Sequence, residues 1–99
     1  MPARLDRVTI TLWSGPVYLP WDSRIQLVDE MSSVDGTEHV VRAFNAVGAS
    51  APVRLGRPEK ELVIEVVDRW AADIGPEQLP AGVWDLRSAL VDDLAAEAQ

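Results

Sequence analysis

The chain of 99 residues contains no cysteine, one histidine (His39) and one lysine (Lys60). The absence of cysteine excludes disulfide bonds, zinc sites built from thiolates and cysteine nucleophiles. A single histidine likewise excludes a histidine-rich metal site. Nine basic residues stand against 16 acidic ones, so the net charge is −7. Because binding to nucleic-acid phosphates needs clustered lysine and arginine, we expect no nucleic-acid partner.

Long hydrophobic runs are also missing. No stretch approaches the roughly 20 consecutive apolar residues that a membrane-spanning helix needs. The residues after Met1 include no apolar segment of a secretory signal. We therefore expect a cytoplasmic protein with no membrane partner. The preference for arginine over lysine, with abundant alanine and valine, is typical of bacterial proteins from genomes rich in G and C.

The sequence has no motif that belongs to a common class of enzyme. It contains no Gly-x-Ser-x-Gly element, no glycine-rich loop before a helix and no calcium-binding loop. His39 falls outside the apolar stripe of its predicted helix, which favours a solvated histidine over a catalytic base. Asp92 and Asp93 lie about 100° apart around a helix, so they do not converge on one ion, and we expect both in solvent. We predict no catalytic residue, no metal and no cofactor.

What the sequence does contain is an ordinary globular composition, with 47% hydrophobic and 25% charged residues. Strict alternation over residues 7–13, with Val8, Ile10 and Leu12 on one face, predicts a strand. Residues 14–22 hold two prolines and a glycine, which predicts a loop. Residues 52–55 predict a short extended piece that pairs beside the first strand.

Apolar periodicity and turn signals predict four helices, at about residues 23–34, 38–47, 58–73 and 81–95. The third has the widest apolar arc, so we expect it to be the most buried. The fold class is therefore α+β, a small single domain of about four helices with one or two short strands. We expect residues 1–99 to form this domain and residues 1–5 and 96–99 to be flexible ends.

The first candidate surface is a row of three acids on the third predicted helix, Glu61, Glu65 and Asp68. Like charges one turn apart repel by a few tenths of a kcal/mol, and Arg69 can relieve part of this at i+4 from Glu65. Two interpretations are open. The row is either a solvated face of an acidic protein or a docking face for a basic partner.

The second candidate surface is aromatic and comprises Trp13, Tyr18 and Trp21. Trp13 lies on the strand face opposite the apolar one, and one face of a sheet in a small domain often meets solvent. Tryptophan and tyrosine are favoured anchors of protein interfaces. Alternatively, the loop folds back and these rings close the core.

Two arginines fall inside predicted apolar faces. Arg87 lies in the apolar arc of the fourth helix, and a buried guanidinium there needs a carboxylate, for which Asp73 and Asp85 are candidates. A long stem that packs while the head reaches water is the other interpretation. Arg24 has a similar place in the first turn of the first helix, where we expect it to reach solvent.

Together these features predict a non-enzymatic, acidic protein-binding module, of the immunity or inhibitor type, that masks a basic partner. The residues that would bind the partner are Glu61, Glu65, Asp68, Trp13, Tyr18 and Trp21. One alternative is a self-assembling homo-oligomeric structural or regulatory subunit, which an exposed edge strand and aromatic loop would support. A small enzyme that uses carboxylates is the third alternative.

Overall fold

The computed structural model of the chain describes residues 7–13, 15–46 and 53–97, and it has the predicted α+β class. Within these residues, a small three-stranded sheet packs with four helices. The elements are β1 (Arg7–Leu12), β2 (Gly15–Pro20), α1 (Trp21–Ser32), α2 (Glu38–Ala46), β3 (Val53–Arg54), α3 (Arg57–Ile74), a 3₁₀ turn (Pro76–Gln78) and α4 (Val83–Glu97).

β1 is the central strand of the sheet, whose order is β2-β1-β3. It pairs antiparallel with β2 and parallel with β3, and the connection from β1 to β3 passes through α1 and α2. Ile10 lies opposite Val17 on one side and Val53 on the other. The predicted first strand and the predicted extended piece beside it are therefore confirmed, although Pro52 lies outside the described residues.

The loop predicted over residues 14–22 is wrong, because most of it forms β2. Pro16 and Pro20 are compatible with a strand here because β2 is at the edge of the sheet, where a nitrogen without a hydrogen can face away from the neighbouring strand. The alternation of Val17 and Leu19, which point towards the core, was the overlooked strand signal. Ser14 lies outside the described residues.

The free edge of β2 is covered by the turn that leads into α4. Gly82 has a φ of +83°, and a Cβ there would lie 3.2 Å from Cδ of Pro20 and 3.8 Å from the backbone oxygen of Tyr18. Only glycine fits this conformation and this distance without strain. Pro16 and Pro20 also remove two N–H donors from the same strand, so β2 is poorly suited to receive another strand.

The predicted helices are confirmed with small shifts at their ends. α4 begins at Val83 rather than near residue 81, because Gly82 takes a positive φ. Among the predicted flexible ends, Ala96 and Glu97 form the end of α4, whereas residues 1–5 and 98–99 lie outside the described part of the chain, as does Val47.

The core lies between the inner sheet face and the helices. α1 and α4 pack against the β1–β2 hairpin, and α3 packs against the other three helices, which agrees with the burial expected for it. The largest fully buried side chains include Ile10, Leu19, Leu27, Met31, Phe44, Leu86 and Leu90. Every helix in the described segments is too short or too polar to cross a membrane.

Candidate functional site

The acidic row lies on the exposed side of α3, and its first two members pair with arginines of the same helix. Oε2 of Glu61 is 3.8 Å from Nε of Arg57, and Oε1 of Glu65 is 3.4 Å from a terminal nitrogen of Arg69. All four side chains are more than half exposed. Such i,i+4 pairs contribute little to stability, but they balance the charge of the row locally.

The third member of the row, Asp68, joins α3 to α4. Its Oδ1 accepts a hydrogen bond of 2.8 Å from Nε of Arg87, whose guanidinium carbon is 4.9 Å from the centre of the Trp84 ring. Of the two interpretations of Arg87, the one with a carboxylate partner is confirmed, but the partner is Asp68 rather than Asp73 or Asp85. Asp85 is two residues from Arg87 on the same helix and projects from another side of it.

Two of the three residues of the aromatic surface, Trp13 and Tyr18, are exposed on the hairpin. The side chain of Trp13 is 78% exposed and that of Tyr18 is 51% exposed. Tyr18 lies in β2 opposite Thr9, whereas Trp13 lies in the turn that follows β1. Thr11 and Pro16 lie opposite each other between Tyr18 and the turn, and both are exposed. The interpretation that these two rings close the core is therefore wrong.

Trp21 differs from the other two aromatic residues because it is half-buried at the start of α1 and packs against the core. The guanidinium carbon of Arg24 lies 4.6 Å from the centre of the Trp21 ring, and its terminal nitrogen donates a hydrogen bond of 3.2 Å to the backbone oxygen of Phe44. The expectation that Arg24 reaches solvent was therefore wrong. This arginine instead connects α1 to the last turn of α2.

His39 is half exposed, as expected, and also contacts a carboxylate. Its Nε2 lies 3.1 Å from Oε2 of Glu59, so the pair joins the start of α2 to the start of α3.

Sequence reasoning missed a buried ionic cluster between α3 and α4. Nζ of Lys60 donates a hydrogen bond of 2.6 Å to Oδ2 of Asp93 and another to Oε2 of Glu97. Lys60 is 6% exposed and Asp93 is completely buried, so the expectation that Asp93 is solvated was wrong. The signal was in the helical spacing, because Asp93 follows Leu86 and Leu90 at i+7 and i+3.

The electrostatics of this cluster favour a charged lysine. Burial by itself lowers the pKa of Lys60, but the hydrogen bonds and negative charges of Asp93 and Glu97 more than offset it, so the pKa is raised above its usual 10.5. At neutral pH the amine is therefore protonated and has no lone pair with which to attack a substrate. Its hydrogen bonds to Asp93 and Glu97 connect the first turns of α3 to the end of α4.

A surface depression of about 450 Å³ lies where the ends of α1 and α3 approach each other. The sequence did not predict it, because its residues come from two helices far apart in the chain. It is lined by Glu30 from α1 and by Arg69, Trp70, Ala72 and Asp73 from α3.

Within residues 7–13, 15–46 and 53–97, no three histidine or carboxylate side chains are grouped so that they could hold a metal ion. Comparisons with models of known protein families, with curated proteins and with solved structures found no match. The function of the chain must therefore be inferred from its own surfaces.

Proposed function

We propose that the chain is a protein-binding module that masks a basic partner protein. The observation that carries this proposal is an excess of carboxylates that form no ion pair with any described residue. Against them stand Arg42 and Arg54, for which the same segments hold no carboxylate partner. These half-exposed or exposed carboxylates belong to Asp22, Asp29, Glu30, Asp35, Glu38, Asp73, Glu77, Asp85 and Asp92.

Unpaired surface carboxylates attract a basic protein over a distance and speed its association. This attraction is screened by salt, since the Debye length is about 8 Å at physiological ionic strength. Glu61, Glu65 and Asp68 remain candidate contacts in this proposal. Their own arginines reduce the field that they present, so we expect them to contribute less than the unpaired acids.

The proposal can be tested with two variants that remove equal charge. The first, Asp29→Asn/Asp85→Asn/Asp92→Asn, removes unpaired carboxylates, and the second, Glu61→Gln/Glu65→Gln/Asp68→Asn, removes the paired row. Each chain is immobilised, extracts of the cells that make the protein are passed over it, and the retained proteins are identified and eluted with rising salt.

We expect retention of a protein of high isoelectric point that elutes earlier from the first variant than from the second. Retention of acidic or neutral proteins only, or retention that is independent of salt, would contradict the proposal.

Self-assembly is the second candidate function, and the exposed outer face of the sheet favours it. Copies of a chain with a charge of −7 repel each other, but the described positions of this face contain no acid. Because Pro16, Pro20 and Gly82 protect the edge of β2, association would be face to face with a second copy. The face comprises Thr9, Thr11, Pro16, Tyr18, Pro20 and Arg54, and the exposed Trp13 lies next to it in the turn after β1.

Sedimentation equilibrium tests this second candidate. If it is right, the wild-type chain dimerises and Trp13→Ser/Tyr18→Ser does not, while Ile25→Ser, which removes an exposed apolar residue of α1, leaves dimerisation unchanged. A wild-type chain that stays monomeric up to millimolar concentration would rule it out.

A further inference from the structure

The depression between α1 and α3 combines an aromatic ring with carboxylates from two helices. Glu30 lies in the last turn of α1 and Asp73 in the last turn of α3, and Trp70 lines the same depression. In the described chain, neither carboxylate has an ion-pair partner. Arg69, which also lines the depression, pairs instead with Glu65 on the surface of α3.

The backbone reinforces the negative potential of this depression. The C-terminal end of a helix carries partial negative charge, and neither α1 nor α3 has a basic side chain in its last turn. The carbonyl of Ala72 also lacks its usual donor, because the residue four positions on is Pro76, which has no N–H. Two helix ends and two carboxylates therefore favour a cation at this place.

The chain already uses tryptophan to bind arginine at two other places. Arg24 stacks over Trp21, and Arg87 stacks over Trp84 while it pairs with Asp68. Trp70 is also next to carboxylates, but no guanidinium of the described residues lies over its ring.

We propose that this depression binds an arginine side chain of the basic partner, with the guanidinium over Trp70 and between Glu30 and Asp73. The inference rests on the proposed function and identifies one contact of that interface. Arginine fits better than lysine because its planar guanidinium stacks on an aromatic ring and pairs with carboxylates through two hydrogen bonds. A volume of about 450 Å³ is enough for one long side chain.

Binding of acetylated octa-arginine, measured by calorimetry near physiological salt, tests this contact. The indole N–H signal of Trp70, assigned from a Trp70→Phe variant, should shift when the peptide is added. We expect Glu30→Gln/Asp73→Asn to weaken binding about tenfold, because two ion pairs next to a ring are lost. The comparison variant Asp85→Asn/Asp92→Asn removes the same charge from α4, outside the depression. It lowers only the general attraction for a basic chain, so the affinity for octa-arginine should change by about twofold or less.

Octa-lysine, which carries the same charge, should bind several-fold more weakly than octa-arginine. Equal weakening by the two variant pairs would show general charge attraction only and would overturn the arginine site. An unchanged Trp70 signal would overturn it too. Neither result decides the proposed function, which depends on the salt-dependent retention of a basic protein.

Discussion

Replacing Lys60 with methionine should destabilise the fold strongly. At an effective dielectric constant of about 20, the 2.6 Å contact between Nζ of Lys60 and Oδ2 of Asp93 corresponds to a gross attraction of about 6 kcal/mol. The cost of removing both charges from water is of similar size, so the net contribution of the pair is small. Lys60→Met removes the attraction but not the cost of burying the carboxylate of Asp93, which then lies completely buried without its counter-charge. We expect a loss of about 3–5 kcal/mol in the free energy of unfolding.

The double variant Lys60→Met/Asp93→Leu separates burial of charge from loss of packing. It removes both charges and fills the space with apolar atoms, so its stability should return to within about 1–2 kcal/mol of the wild type. Glu97 is only partly buried and can turn towards water. The matched control is Arg57→Met, which breaks an exposed pair with Glu61 and should cost less than about 1 kcal/mol.

Urea unfolding followed by far-ultraviolet circular dichroism measures these differences, provided that the m-value stays constant. A domain of this size has a total stability of about 5–15 kcal/mol, so the expected loss is readily detected. A cost below about 1 kcal/mol for Lys60→Met would refute the reasoning, since that is typical of a solvated pair. A double variant as unstable as the sum of its single variants would refute it too.

Three further predictions concern stability. Folding raises the pKa of Lys60, so the protonated lysine stabilises the fold fully below pH 10.5, and this stabilisation is lost as the pH rises through the pKa of the folded state. The urea midpoint in alkaline buffers should therefore fall more for the wild type than for Lys60→Met. In thermal unfolding, Gly36→Ala should lower the stability by the roughly 1–2 kcal/mol that a positive φ costs a residue with a Cβ, because no described residue beyond its two chain neighbours lies within 4 Å of that Cβ. Gly82→Ala should lower it by more, because its Cβ would also contact Pro20. Thr37→Val removes a buried hydroxyl whose single proton lies between the backbone oxygens of Met31 and Val34. It should lower the free energy of unfolding in urea by about 1–3 kcal/mol.

The sequence was a good guide where one face of an element is buried. The alternation through Val8, Ile10 and Leu12 identifies β1 because those three side chains do face the core. The wide apolar arc of α3 likewise reflects packing against three helices. β2 was missed because its prolines indicate a loop unless the strand is known to lie at the edge of a sheet.

Contacts between elements were less predictable. The partner of Arg87 is Asp68 rather than Asp73 or Asp85, and this follows from how α3 and α4 pack, which helical wheels do not contain. The adjacent Asp92 and Asp93 suggest a solvated pair, but the two project in different directions, and Asp93 is buried whereas Asp92 is exposed. The depression depends on the approach of two helix ends, which no pattern within either helix indicates.

The burial of Lys60 also determines how the folded protein responds to amine chemistry. Because Lys60 is the single lysine of the sequence and its ammonium is bound by Asp93 and Glu97, no lysine side chain is accessible to acylation, ubiquitin conjugation or amine-directed cross-linking. Labelling of this amine requires it to leave Asp93 and Glu97 and to reach solvent. Its rate therefore reports how often this ionic cluster opens.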